Sequence, residues 1–127
     1  MTQTATNPTT ATLYERIGGR DKLHDMIGQA VDAHLANPAI RTRFEPFDKQ
    51  TMIDGAFHFF AQAMGGPVVY EGRGLVTTHR GMNISEAEFV AAVDDILSVL
   101  QKNGVGQQEQ LEVLGALYAW KDEVVHL

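Results

Sequence analysis

The chain has 127 residues, of which 44% are hydrophobic and 20% charged, as expected for one globular domain and too short for two. It contains no cysteine, which excludes disulfides, thiolate metal ligands and a cysteine nucleophile. The net charge of −6 and the scattered basic residues argue against binding to nucleic acid or an anionic membrane, and no apolar run approaches the ~20 residues of a membrane span.

The first eleven residues are polar and rich in threonine, and they lack the apolar core of a signal peptide. This composition predicts a disordered tail at residues 1–11, followed by one folded domain at 12–127. We therefore expect a cytoplasmic protein.

The rest of the chain carries apolar residues at helical spacing, and no strand pattern stands out. A short helix at 13–17 should stop at a glycine pair, and a longer helix should follow from about residue 20 to 36. Asn37 is expected to cap the next turn, with Pro38 in its first positions. A corner containing Phe44 comes next.

A further helix is predicted from about residue 48 to 64, and its three phenylalanines within 57–60 exceed a single apolar stripe. Such a helix is expected to face both the core and something bulky. Ser85 and Glu88 form a capping box that opens a helix ending near residue 102. The last helix should span about 107–125, with Leu111 among its inward residues and His126 in its last turn. The predicted fold class is therefore all-α.

The segment from 65 to 84 is too polar and too short to bury much of itself, and it contains His79. Neutral imidazole is a common metal ligand, and its second nitrogen needs an acceptor that fixes the tautomer. The carbonyl of Leu75, four residues earlier, is the expected acceptor. A flat apolar cofactor packed under His79 would hold the segment in place, with an iron atom on the imidazole.

The other histidines have simpler interpretations. His24 is expected to face solvent, while His34 and His58 are read as structural histidines with satisfied hydrogen bonds. A zinc site would need three or four ligands at recognisable spacing, and the chain has no such pattern. No serine occupies the glycine-flanked elbow that a hydrolytic triad requires.

Several short matches, in the right order over residues 12–120, resemble the truncated haemoglobins, and within them group I. They are Leu13-Tyr14-Glu15-Arg16-Ile17-Gly18-Gly19, Phe44, Phe59-Phe60, Met64-Gly65-Gly66, Tyr70-x-Gly72, Leu75-x-x-x-His79, Ile84, Phe89 and Leu114-Gly115-x-Leu117. The resemblance implies a two-over-two helical sandwich around a haem b.

The resemblance also implies roles for individual residues. His79 would be the proximal iron ligand, Phe44 would stack on the porphyrin, and Phe59 and Phe60 would pack on the distal side. Tyr70 and Arg73 would approach the propionates. The remaining expected cofactor contacts are apolar: Met52, Leu75, Ile84, Phe89, Val93, Ile96, Leu114 and Leu117. For these aliphatic residues, plain core packing is the alternative.

The distal pocket departs from the family pattern, which has a tyrosine in register with Val31 and often a polar residue in register with Met52 or Ala56. All three are apolar here. A hydrogen bond to a charged acceptor contributes about 1.5–3 kcal/mol, roughly ten- to a hundredfold in dioxygen residence. We therefore expect fast dioxygen release and weak discrimination against carbon monoxide, unless His34 or His58 turns inward or the register of the distal helix slips near Gly55. A separate alternative is that Met52 or a histidine ligates the iron directly.

The resemblance implies reversible binding of the diatomic gases dioxygen, carbon monoxide and nitric oxide. The role it implies is oxygen binding or transport. The alternatives are a nitric oxide dioxygenase served by a separate reductase, a gas or redox sensor, and a cofactor-free helical interaction module. Some relatives bond the haem covalently through a histidine on the last helix. Near that register this chain has Asp122, and His126 lies one turn beyond, so we expect no such bond here. The expected state is a monomer or weak homodimer.

Overall fold

The computed structural model describes residues 11–127, which form seven α-helices and one 3-10 turn, with no strand among them. The elements are α1 Leu13–Arg16, α2 Gly19–Ala36, α3 Arg41–Phe44, α4 Lys49–Ala63, α5 Leu75–His79, α6 Glu86–Lys102, α7 Gln107–Ala119 and the turn Lys121–Glu123. The predicted all-α fold is confirmed. The predicted tail lies outside the described residues except for Ala11, whose carbonyl accepts a hydrogen bond from Arg16 Nε at 3.2 Å.

The four long helices form the sandwich. α2 packs against α4 in one layer and also contacts α6, which pairs with α7 in the other layer. The core lies between them, where α2 contributes Met26 and Val31, α4 contributes Phe57, and α6 and α7 contribute Val93 and Leu117. Within the described residues, no helix has both the length and the apolar character needed to cross a bilayer.

α1 is held against the end of α4. This contact brings together two of the sequence matches named above, the one that contains Tyr14 and the one at Met64-Gly65-Gly66. The Tyr14 N–H donates to the Met64 carbonyl at 3.0 Å, and the Tyr14 ring is buried. A Cβ on Gly66 would lie 2.7 Å from that ring, a distance that real Cβ atoms do not tolerate. Glycine at this position therefore lets the buried tyrosine pack against the backbone after α4.

The prediction of Asn37 as the N-cap of the next helix is wrong, because that helix has Ile40 as its N-cap and Asn37 is the C-cap of α2. Asn37 instead stabilises the turn between the two helices. Its Oδ1 accepts the Ala39 N–H at 3.0 Å, and its carbonyl accepts the Arg41 N–H at 2.8 Å. The α-helix itself begins at Arg41, beyond Pro38.

The predicted last helix is too long, because α7 ends at Ala119 and not near residue 125. The chain continues through a 3-10 turn and then forms a bridge between Val125 and Ile84. The His126 N–H donates to the Ile84 carbonyl at 2.8 Å, and the Asn83 N–H donates to the Leu127 carbonyl at 2.7 Å. These tertiary hydrogen bonds replace those of a longer helix. His126 therefore lies outside the helix, with a φ of 61°.

The inward position predicted for Leu111 is also wrong, since this side chain is 55% exposed. The buried face of α7 carries Val113 and Leu117, four residues apart. Leu111 lies two residues before Val113, which places it about 200° around the helix from that face.

Candidate functional site

His79 is the last residue of α5, a five-residue helix that follows Gly74. Its Nδ1 lies 2.8 Å from the Leu75 carbonyl oxygen, which confirms the predicted hydrogen bond. Because a carbonyl oxygen can only accept, Nδ1 carries the proton, and Nε2 of the neutral ring keeps its lone pair. The imidazole is therefore held in the tautomer whose Nε2 can bind a metal.

The segment around His79 is supported from outside, as its polar sequence predicts. No side chain from 65 to 83 is fully buried. α5 contacts the 3-10 turn Lys121–Glu123, and the backbone after it pairs with Val125 through Ile84. The C-terminal residues thus position the histidine, a role that their sequence did not reveal.

His79 borders a cavity of about 110 Å³ that lies between α3, α5 and α6. Four of the predicted cofactor contacts line it together: Phe44, His79, Ile84 and Phe89. Val124, from the C-terminal segment, also lines it, as do the charged side chains of Arg43 and Glu88. Charged and apolar side chains therefore meet beside the His79 imidazole.

α4 has two apolar faces, as its excess of phenylalanine predicts. Ile53, Phe57 and Ala61 are buried in the core. Met52, Ala56, Phe59 and Phe60 are only partly buried and pack at the edge of that core or against other aromatic rings. Large apolar side chains that remain half-exposed fit contact with a bulky apolar group.

The predicted cofactor contacts on α6 and α7 also divide into buried and partly buried side chains. Phe89, Val93 and Leu117 are buried, whereas Ile96 and Leu114 are partly buried against the core. Leu75 on α5 is also partly buried. The residues present therefore fit the haem that the sequence resemblance implies: apolar side chains on α3 to α7 and, beside the cavity, the His79 imidazole with its Nε2 lone pair free.

Phe59 is the centre of an aromatic cluster. Its ring makes edge contacts with Tyr70 and Trp120, each with centroids 5.2 Å apart, and with Phe60 at 5.7 Å. Trp120 is not among the predicted site residues, because its contacts with Phe59 and Phe60 join distant parts of the chain. The Tyr70 hydroxyl lies where a Cβ on residue 72 would be, which accounts for the Tyr70-x-Gly72 spacing.

Arg73, predicted to approach the propionates with Tyr70, has an exposed side chain on the loop before α5. Tyr70 itself is half-buried, and its backbone N–H donates to the Gln62 side chain. The structure thus places the two residues on the same loop, with only the tyrosine anchored to α4.

The three predicted distal residues belong to the core or pack against it. Val31 is buried in the core cluster, and Met52 and Ala56 pack against that cluster. None of these side chains has a hydrogen-bond donor. All three positions for which the resemblance implies a distal role are therefore apolar.

Both histidines that could substitute for a distal donor are engaged in other hydrogen bonds. His34 is buried, donates from Nδ1 to Asp95 at 3.0 Å, and stacks on Phe44 with ring centroids 4.8 Å apart. Burial lowers the pKa of His34 below its usual value, although the Asp95 carboxylate opposes this shift. His58 is exposed, and its Nδ1 is bonded to the Asp54 carbonyl at 2.8 Å.

A second depression, of about 270 Å³, is lined by Arg20, Asp21, His24 and Asp25 and shares no residue with the His79 cavity. All four lining side chains are polar or charged. Across residues 11–127, no group of three or more histidine, aspartate or glutamate side chains is arranged to hold a metal ion.

The family described as bacterial-like globin matches residues 12–125 of this chain. The group 1 truncated hemoglobin of Tetrahymena thermophila is 25% identical over 97 residues, which cover 76% of this chain and 80% of that protein. The Fe(III) truncated hemoglobin of Tetrahymena pyriformis has a TM-score of 0.88 at 21% identity, covering 92% of this chain and all of that one. The 2/2 hemoglobin of Synechococcus sp., in the cyanomet state with covalently attached heme, has a TM-score of 0.85 at 21% identity, covering 91% and 98%.

Proposed function

We propose that this chain, which belongs to the bacterial-like globin family and resembles its group 1 truncated haemoglobins, holds a haem b through His79 and binds diatomic gases reversibly. When bound, haem supplies an iron atom with an open position for dioxygen, carbon monoxide or nitric oxide. The observation that carries the proposal is the 2.8 Å hydrogen bond from His79 Nδ1 to the Leu75 carbonyl.

That hydrogen bond gives the imidazole two properties of a good iron ligand. It fixes the tautomer, so that Nε2 presents its lone pair, and it increases the basicity of the ligating nitrogen. It also limits rotation of the ring about its own turn. We assign His79 as the proximal ligand for these reasons.

The apolar walls would exclude water from the cofactor. We assign cofactor contacts to Phe44 beside the cavity, to Phe59 and Phe60 on α4, and to the apolar residues already located: Met52, Leu75, Ile84, Phe89, Val93, Ile96, Leu114 and Leu117. Tyr70 and Arg73 are assigned to the polar edge, because their loop is the exposed boundary of the site.

The distal side supports gas binding with fast release. Val31, Met52 and Ala56 offer no donor to a bound dioxygen, while His34 and His58 are engaged by Asp95 and by the backbone of Asp54. Oxygen transport or sensing fits this chemistry better than nitric oxide dioxygenation, which depends on retaining dioxygen and on a separate reductase.

A noncovalent haem is the second element of the proposal. One neighbouring structure has covalently attached heme. In some relatives a histidine near the register of Asp122 forms the covalent bond. In this chain that position is an aspartate on the 3-10 turn, and a carboxylate does not supply the nucleophilic imidazole that the bond needs. His126 is exposed, with its backbone N–H paired to Ile84.

The test is haem titration of the purified protein, of His79→Gly and of His58→Gly. The control is closely matched, because His58 also sits on a helix and donates from Nδ1 to the carbonyl four residues earlier. We expect one haem per wild-type chain and a Soret band that shifts with carbon monoxide. Both properties should persist in His58→Gly.

His79→Gly should lose this spectrum, and free imidazole should restore it by occupying the space left by the side chain. A wild-type protein that takes up no stoichiometric haem contradicts the haem proposal as a whole. A His79→Gly protein with an unchanged ferrous spectrum contradicts only the assignment of His79. Haem that stays with the protein in acidified butanone would contradict the noncovalent attachment.

A further inference from the structure

We infer, on the basis of the proposed function, that Arg43 and Glu88 are positioning residues that set the place of His79 relative to Phe44. Neither is a ligand to the iron. They form a charged latch that joins the helix carrying Phe44, the start of α6 and the turn after His79.

The latch has three hydrogen bonds from one guanidinium. Arg43 Nε and Nη2 donate to the two carboxylate oxygens of Glu88 at 2.7 and 2.9 Å. Its Nη1 donates to the Met82 carbonyl at 2.8 Å. The Met82 N–H in turn donates to the His79 carbonyl at 3.1 Å, so the guanidinium is two hydrogen bonds away from the His79 backbone.

The position of α5 depends on such external contacts, since none of its side chains is buried. On one side, Ile84 and Asn83 pair with the C-terminal backbone. On the other side, Arg43 holds the Met82 carbonyl. Arg43 directly precedes Phe44 on α3, and both residues line the cavity beside His79. A change in the latch therefore alters the distance between the two predicted cofactor walls.

Arginine is suited to this position because its planar fork can bond both carboxylate oxygens while a third donor points elsewhere. The pair is partly shielded, with side-chain exposures of 31% for Arg43 and 21% for Glu88. Glu88 also accepts the Ser85 N–H at 2.9 Å. The Arg43 hydrogen bonds are the main reason that the pKa of Glu88 falls to about 2, so the latch stays ionised at neutral pH.

The chain offers a matched control at the opposite end. Arg16 donates to Glu109 at 2.8 Å and to both oxygens of Glu112 at 2.6 and 2.8 Å, which ties α1 to α7. The side chains of this second latch have similar exposure, 25% for Arg16 and 32% for Glu112. None of its members lines the His79 cavity.

The experiment compares haem-loaded wild type, Arg43→Lys, Glu88→Gln and Arg16→Lys. The first readout is the iron–histidine stretching band in resonance Raman spectra of the ferrous, ligand-free protein, which reports the geometry of the proximal ligand. The second is the rate of haem loss to an excess of a haem-scavenging apoprotein. The midpoint of urea unfolding is measured for every variant.

Arg43→Lys keeps the charge but loses the fork, so we expect a shifted or broadened band and haem loss about tenfold faster. Glu88→Gln should change both readouts in the same direction. Arg16→Lys should lower the urea midpoint but leave the band and the rate at wild-type values. Should Arg43→Lys fail to fold, Glu88→Gln decides alone.

A wild-type band in both Arg43→Lys and Glu88→Gln overturns the positioning role. An equal band shift in Arg16→Lys also overturns it, because the effect would then follow general stability. Failure of the proposed function looks different: the wild type itself would show no iron–histidine band, and the positioning role would be overturned with it.

Discussion

Replacing His34 with phenylalanine tests how much the hydrogen bond of the residue that stacks on Phe44 contributes to stability. His34 is 7% exposed and makes two contacts: a hydrogen bond from Nδ1 to Asp95 and a stacked contact with Phe44. Phenylalanine keeps an aromatic ring and the buried volume but removes the donor. The substitution therefore isolates the hydrogen bond that joins α2 to α6.

The magnitude follows from the surroundings of Asp95. A hydrogen bond to a charged group contributes about 1.5–3 kcal/mol. The Asp95 side chain is 18% exposed and keeps the Asn37 amide at 3.2 Å, so water and Asn37 offset part of the loss. We expect His34→Phe to lower the free energy of unfolding by about 1.5–2 kcal/mol at pH 7.5.

The pH dependence gives a second sign to check. Burial lowers the pKa of His34 in the folded protein, whereas the histidine of the unfolded chain keeps its usual pKa of 6.5. As the pH falls below 6.5, the unfolded chain therefore binds a proton that the folded chain does not yet bind. This contribution to wild-type stability is complete above pH 6.5 and is lost as the pH falls toward the lowered pKa. The difference between wild type and His34→Phe should therefore shrink from pH 7.5 to 5.5.

The assay is urea unfolding of the haem-loaded proteins, followed by far-UV circular dichroism at both pH values. His24→Phe is the matched control, because His24 also pairs with an aspartate, at 3.2 Å, and contacts the Phe57 ring. Its side chain is 43% exposed, so its loss should change stability by less than about 0.5 kcal/mol. A His34→Phe protein as stable as His24→Phe, with the same pH dependence as wild type, would refute the reasoning.

Three further outcomes are expected. Val31→Tyr, which places a donor in the distal pocket, should slow dioxygen dissociation by roughly ten- to a hundredfold in stopped-flow mixing; an unchanged rate would place residue 31 away from the ligand. Gly66→Ala should destabilise the protein by about 1–3 kcal/mol in thermal unfolding, because its Cβ meets the Tyr14 ring, whereas Gly115→Ala has open space and should not destabilise it. The pKa of Glu112 is about 2 beside Arg16, so wild-type stability should fall as the pH drops from 4.5 toward 2, and Glu112→Gln should flatten that slope in acid titration.

The sequence predicts the long helices and the His79 hydrogen bond well, because both depend on local patterns. The capping box at Ser85 and Glu88 marks the start of α6, and apolar spacing marks the faces of α2 and α6. The acceptor for His79 lies only four residues away, so one turn of helix is enough to predict it.

The parts that the sequence does not predict depend on contacts between distant residues. α7 stops at Ala119 because the following segment pairs with Ile84, and no local signal marks this pairing. Arg43 and Glu88 are 45 positions apart, and His34 and Asp95 are 61 apart, so neither pair forms a recognisable motif. Trp120 joins the aromatic cluster for the same reason.

The most direct test of the central claim is resonance Raman spectroscopy of the ferrous, ligand-free protein, prepared with natural and with ¹⁵N-labelled histidine. If His79 is the proximal ligand, an iron–histidine band should appear, shift with the label, and vanish in His79→Gly. A labelled protein whose spectrum has no isotope-sensitive iron–histidine band, or a band that persists in His79→Gly, would contradict the account.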